Sequence, residues 1–147
     1  MQWWEEYYRD VDSGQLERFS RWYADDIVSR FGNMPVTQGK AELLASLGHF
    51  FQNFEGLSHA WNPVVGNADV AMGEGVCTYH LKDGRRIAIP VVTVIERRED
   101  GLIHRSSVYF DVAPLFTQGT DAVVPDPRFF IRKHQAGVVR GDESRSA

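Results

Sequence analysis

The sequence predicts a single α+β domain, and three observations carry that prediction. Apolar side chains recur at helical spacing up to residue 54 and then switch to a period of two. Two Asp-Gly hairpin signals, Asp83-Gly84 and Asp100-Gly101, punctuate the second part. The length of 147 residues suits one domain that buries its own core without metal or disulfide staples. Helices followed by a mainly antiparallel meander define the α+β class.

Each element follows from its spacing. Trp4, Tyr7, Tyr8 and Val11 fall at i, i+3, i+4 and i+7, one face of a helix that ends near Ser13-Gly14. Leu16, Phe19 and Tyr23 predict the inner face of a second short helix, with Glu17, Arg18 and Arg21 outward and Asp25-Asp26 as its break. Ile27 to Phe31 reads as a short strand, stopped by Gly32-Asn33-Met34-Pro35. Gly39 precedes a third helix whose stripe is Leu43, Leu44, Leu47, Phe50, Phe51 and Phe54. Strands are then expected from Leu57 to Val65, Val70 to Leu81, Arg86 to Arg97 and Leu102 to Val112. Beyond Pro114 the pattern is lost, although Phe129-Phe130-Ile131 forms a small apolar anchor. The expected organisation is a domain over residues 1–118 and a partly ordered extension over 119–147.

Composition narrows the function. The net charge of −4 and the lack of a basic patch argue against nucleic acid. No apolar run approaches the roughly 20 residues of a membrane span, and no basic amphipathic stretch suggests a membrane surface. The single Cys77 has no internal disulfide partner, which fits a reducing cytoplasm. His49, His59, His80, His104 and His134 show no short ligand spacing, so no metal site is expected. Phosphate-binding glycine motifs and nucleophile elbows are absent, and no cofactor is expected.

The aromatic surplus raises a second question. The third helix and the strands together supply more large side chains than a thin core needs, among them Trp61, Tyr79, Tyr109 and Phe110. They either interdigitate as core or line a ligand cavity. Both readings stay open at this level.

Three segments carry a family resemblance. The stretch from Gly14 to Asp26, the stretch from Asp83 to Val92, and Asp100-Gly101-Leu102-Ile103 leading to Tyr109-Phe110-Asp111-Val112-Ala113-Pro114-Leu115 resemble segments of the SnoaL-like and ketosteroid-isomerase-like superfamily, within the nuclear-transport-factor-2-like class. The resemblance covers roughly residues 3–116. It implies a cone-shaped, mainly antiparallel curved sheet wrapped around three N-terminal helices, with a pocket at the open end. It also implies pairing of two copies through the exposed sheet face. The strand from Ile87 to Ile95, apolar on both faces, is compatible with a covered sheet.

The same resemblance supplies expectations for residues. Ketosteroid isomerases use a Tyr and a protonated Asp as an oxyanion hole and a second Asp as base. Tyr7 falls at the Tyr, Arg30 or Phe31 at the base, and Thr93 at the other Asp. Phe31-Gly32-Asn33-Met34-Pro35 is similar to the Tyr-X-Asn-Met-Pro segment of limonene-epoxide hydrolases. The Asp–Arg–Asp set of that family falls near Gly75, Cys77 and Val108 and is missing. SnoaL-like cyclases place an acid/base Asp at about Asp111.

The candidates follow. His59 is read as pointing into the pocket, where histidine suits general acid/base work. Asp111 is either a proton shuttle or a strand-end cap. Tyr7 is either an enolate donor or a packed aromatic. Asn33 is either a carbonyl- or water-orienting group or a turn residue. Glu74 is a pocket acid, an outward charge or a bulge. Phe31, Trp61, Tyr79, Thr93 and Phe110 are expected to shape the pocket. The leading expectation is a cofactor-independent enzyme that isomerises, cyclises or dehydrates a small hydrophobic carbonyl compound. The alternatives are a divergent epoxide hydrolase using Asn33, Glu74 and Asp111, and a non-catalytic small-molecule-binding domain.

Overall fold

The computed structural model of the chain describes residues 1–116. Its elements are α1 (Gln2–Asp12), α2 (Leu16–Ser20), β1 (Tyr23–Phe31), β2 (Thr37–Gln38), α3 (Lys40–Phe51), β3 (Phe54–Gly66), β4 (Val70–Leu81), β5 (Arg86–Arg97), β6 (Ile103–Tyr109) and α4 (Ala113–Phe116). The extension expected over 119–147 and its apolar anchor lie outside the described residues.

The strands form one curved, unclosed sheet in the order β2-β1-β6-β5-β4-β3. All neighbours run antiparallel except β1 and β6, which pair parallel from Val28↔Arg105 to Phe31↔Val108. The α+β class and the curved, mainly antiparallel sheet behind N-terminal helices are as the sequence predicts.

Strand alternation sorts the sheet into two faces. In β5, Ile87, Ile89, Val91, Thr93 and Ile95 are buried against the helices, while Val92 between them is exposed. Helix α1 lays Trp4, Tyr7, Tyr8 and Val11 onto the inner face, as its spacing predicts. Each such fully buried side chain contributes about 1.5–3 kcal/mol of hydrophobic stabilisation.

Two glycines make this packing geometrically feasible. A Cβ on Gly73 would stand 2.6 Å from Trp4 Cζ2, and one on Gly75 would collide with the Ala60 carbonyl and Trp61. The bare backbone of β4 therefore lets the Trp4 and Trp61 rings, 5.1 Å apart, lie close against the strand. Glu74 between them is exposed and pairs with Val92 in an unbroken ladder, so it is an outward charge and not a bulge or a pocket acid.

Several boundaries differ from the periodicity reading. Tyr23 is buried at the start of β1 and not on α2, which stops at Ser20. Asp25 and Asp26 do not break the chain there but lie exposed within β1, with Asp26 bonded to Arg98 at 2.6 Å. Phe54 opens β3 and does not extend α3. In each case an apolar residue at helical spacing also satisfied the first inward position of a strand. Only long-range pairing separates the two, as in Tyr23↔Ile103 and Phe54↔Leu81. Strand β6 ends at Tyr109, before Val112, because α4 begins at Ala113.

The α1–α2–β1 corner is tied by one carboxylate. Asp10 is buried and accepts from Arg18 Nη2 at 3.0 Å, Arg21 Nη2 at 2.7 Å and Trp22 Nε1 at 2.9 Å. Burial opposes its ionisation, but the hydrogen bonds from Trp22, Arg21 and Arg18 outweigh that and hold its carboxyl below the usual carboxylate range.

Candidate functional site

Between the helices and the inner sheet face lies a cavity with mostly apolar walls. Val11 and Phe19 line it from the N-terminal segments, Leu43, Leu47 and Phe51 from α3, and Val91 from β5. Residues with polar groups supply the rest, namely Tyr7, Tyr8, Tyr23, Ser29, His59, Cys77, Tyr79, Thr93 and Ser106. An apolar chamber with few polar groups is the usual form of a small-molecule site.

His59 is held by a partner that lies 47 residues away in the chain. Its Nδ1 is 2.6 Å from Asp12 Oδ1, and its backbone N–H donates to Asp12 Oδ2 at 3.0 Å. Asp12 is the last residue of α1, and His59 lies on the inner face of β3 opposite Cys77. A carboxylate accepts, so the neutral imidazole carries its proton on Nδ1 and keeps a free lone pair on Nε2. The ring is stacked on Trp61 at 5.3 Å with 6° between planes, and the Tyr8 ring lies 4.7 Å away. Orientation is thus set by one hydrogen bond at Nδ1, by the backbone bond to the same carboxylate and by the two flanking rings. This arrangement can accept or return a proton at Nε2.

The phenols form a second feature. The Tyr7 and Tyr23 hydroxyls are 3.0 Å apart and buried. Burial pushes the Tyr7 phenol up to about 12, with the Tyr23 hydrogen bond offsetting part of the rise. Burial likewise raises Tyr8, Tyr23 and Tyr79. These phenols therefore stay protonated near neutrality and act as hydrogen-bond donors. Burial also pushes the Cys77 thiol up to about 12, which makes it a neutral wall group and not a nucleophile. The Thr93 hydroxyl lies beside the Tyr8 phenol closely enough to restrain its rise. It is nevertheless buried without a hydrogen bond of normal geometry among the described residues.

Of the residues singled out from sequence, Tyr7, Phe31, His59, Tyr79 and Thr93 line one cavity. Trp61 stands behind His59 as its stacking partner, and Phe110 stands behind Phe31 with ring centroids 4.7 Å apart. Two candidates stand apart from the cavity. Asp111 is exposed and accepts from the Ala113 backbone N–H at 2.9 Å, in the turn that leads into α4, and it lies outside the cavity lining. Asn33 is exposed in the turn after β1, where the chain reverses, and lies outside it too. Glu74 is exposed as well, so none of Asn33, Glu74 and Asp111 lines the cavity.

Sequence reasoning missed Asp12, Tyr23, Ser29 and Ser106. The serines are ordinary polar positions in strands, and Tyr23 read as helical packing. Asp12 carried no local signal, because its partner is remote in sequence.

Comparisons agree with this architecture. No curated protein sequence matches the chain. An LEH-like epoxide hydrolase from M. tuberculosis superposes with a TM-score of 0.63 at 19% identity, over 76% of this chain and 82% of that one. A protein described as a SnoaL-like polyketide cyclase from Shewanella denitrificans OS-217 gives 0.66 at 15% identity, over 76% and 90%. The epoxide hydrolase/cyclase-like enzyme SalBIII, of pyran ring formation in salinomycin, gives 0.65 at 14% identity, over 74% and 88%. At these identities the likeness is one of fold. The model of the SnoaL-like domain matches residues 4–106, and the chain belongs to that family.

Proposed function

We propose that the protein is a cofactor-independent acid/base enzyme acting on a small hydrophobic carbonyl compound. The observation that carries the reading is His59 in the chamber wall with Asp12 bonded to its Nδ1. His59 Nε2 removes a proton from the carbon next to the carbonyl, and the electron pair moves onto the carbonyl oxygen as an enolate. Asp12 stabilises the imidazolium that forms. Tyr7, paired with Tyr23, donates to the enolate oxygen. Return of the proton from His59 to another carbon isomerises the compound. Its delivery to a leaving hydroxyl releases water, and attack of the enolate carbon on a second carbonyl closes a ring.

Proton removal is testable without knowing the substrate. In D2O, a panel of aryl and cyclic ketones is expected to take up deuterium at the α-carbon faster with the protein than in buffer, followed by proton NMR. Exchange at the buffer rate for every ketone, with no shift of cavity resonances, would sink the assignment.

The partner reading is a second copy of the chain. Val65, Met72, Val92 and Tyr109 expose 40–52% of their surface on the outer sheet face. Val92 pairs with Tyr109 and stands next to the Met72–Val94 pair, which makes the patch continuous. A homodimer through this face is expected in sedimentation velocity at micromolar concentration, and Val92→Lys is expected to shift it to monomer. Wild-type protein sedimenting only as monomer excludes the pairing.

A further inference from the structure

A second recess adjoins the chamber, and the proton-transfer chemistry does not use it. It lies between α3 and the turn that follows β1. Ser29, Phe31, Leu43 and Leu47 line both cavities, so these four side chains form the partition between them. Phe31 and Leu47 are only half-buried. The outer walls are Met34 and Pro35 of the turn, Thr37 of β2, and Ser46 and Phe50 of α3.

The chemistry of these walls selects an apolar occupant. None of the lining residues carries a charge. The Thr37 hydroxyl is turned to backbone, donating to the Ser29 carbonyl at 3.5 Å. Phe31 and Phe50 present rings whose centroids lie 5.0 Å apart. A hydrocarbon group entering such a recess leaves water without giving up a hydrogen bond, whereas a polar one must give up its own.

The rim is preformed and reaches the surface. Gly32, with φ 56°, turns the chain back, and its N–H donates to the Val108 carbonyl at 2.8 Å. The Met34 N–H donates to the Phe31 carbonyl at 3.1 Å. Met34 on this rim is 40% exposed, which puts the outer end of the recess in contact with solvent.

Strand order sets the recess apart from the dyad. Strands β6, β5 and β4 stand between β1, which carries Phe31, and β3, which carries His59. The partition and the base therefore belong to opposite sides of the chamber.

We infer that the recess is a subsite for an apolar tail of the substrate, an alkyl substituent on the end remote from the reacting carbonyl. The tail passes the partition when the Phe31 and Leu47 side chains swing aside, and it ends under Met34. The substrate is then a carbonyl compound with a hydrocarbon tail and no polar group at that end. The inference rests on the carbonyl reading of the chamber and specifies its substrate class.

The test titrates acetophenone, 4-ethylacetophenone and 4-butylacetophenone into the full chain with methyl-labelled methionine. NMR reads the Kd, the Met34 methyl resonance and deuterium uptake at the α-carbon in D2O. Wild-type protein is expected to bind about 4-fold more tightly for each added methylene. The butyl compound is expected to shift the Met34 methyl, whereas acetophenone does not, and Met72 on the outer sheet face is unmoved by either. Ser46→Trp fills the recess from α3 and is expected to flatten the series. Should it melt lower, Thr37→Trp fills the recess from β2 with the same expected result. The Met34 readout needs no variant and decides the case if both melt lower. A flat wild-type series, a Met34 methyl that ignores the butyl group, or an unchanged slope in a folded filled variant overturns the subsite. If acetophenone still takes up deuterium in that event, the carbonyl reading stands. A slope with the Met34 shift but no deuterium uptake by any member overturns the carbonyl reading and leaves the apolar subsite. Failure of wild type to bind any of the three overturns both.

Discussion

His59→Gln is expected to lower α-proton exchange about 10²–10⁴-fold, to near the buffer rate, with little change in melting temperature. Glutamine keeps a polar side chain of similar reach but has no basic nitrogen. Asp12→Asn is expected to cost less, on the order of 10-fold to 100-fold, because the base remains while its tautomer and orientation are released. The two residues are joined by a 2.6 Å contact, so their effects should not add, and the double variant should be no worse than His59→Gln alone. Asp111→Asn provides the control. Its carboxylate holds the exposed turn before α4, outside the cavity, so exchange is expected to be unchanged. Full exchange by His59→Gln would remove His59 from the mechanism and leave the chamber without a base at that wall.

Asp10→Ala is expected to destabilise the fold by about 2–3 kcal/mol, the usual range for hydrogen bonds to a buried charge. For a domain of this size that lowers Tm by roughly 10 °C. The loss arises at one corner, where Arg18, Arg21 and Trp22 all donate to this carboxylate. The sign of the pH dependence follows from the lowered Asp10 pKa. An unfolded Asp titrates near about 3.9, so the ionised form favours the folded state above that pH. As pH falls through the lower folded value, Asp10 is protonated in both states and its contribution vanishes. The Tm gap between wild type and Asp10→Ala should therefore be full near neutrality and shrink below about pH 4. A gap independent of pH would show that Asp10 acts through packing and not through charge.

Much of the site was legible in the sequence. Periodicity placed Trp4, Tyr7, Tyr8 and Val11 on one buried face, and the family resemblance pointed to His59 and Thr93, which line the cavity. Periodicity failed where one residue fits two patterns, as with Tyr23 and Phe54 at strand starts. The sequence left two readings open for Asp111 and Asn33, because a carboxylate or amide next to a turn serves local backbone as readily as a substrate.

The sequence by itself determined the α+β class, the SnoaL-like resemblance and the abundance of aromatic side chains between helices and sheet. The class follows from the spacing of apolar residues and from hairpin chemistry, and the resemblance from short motifs, all of which are local. Only the tertiary structure decided which polar groups meet. The contact of Asp12 with His59, the pairing of Tyr7 with Tyr23, and the approach of Thr93 to Tyr8 each join elements distant in the chain. Such contacts depend on strand register and helix docking, and no local pattern encodes them.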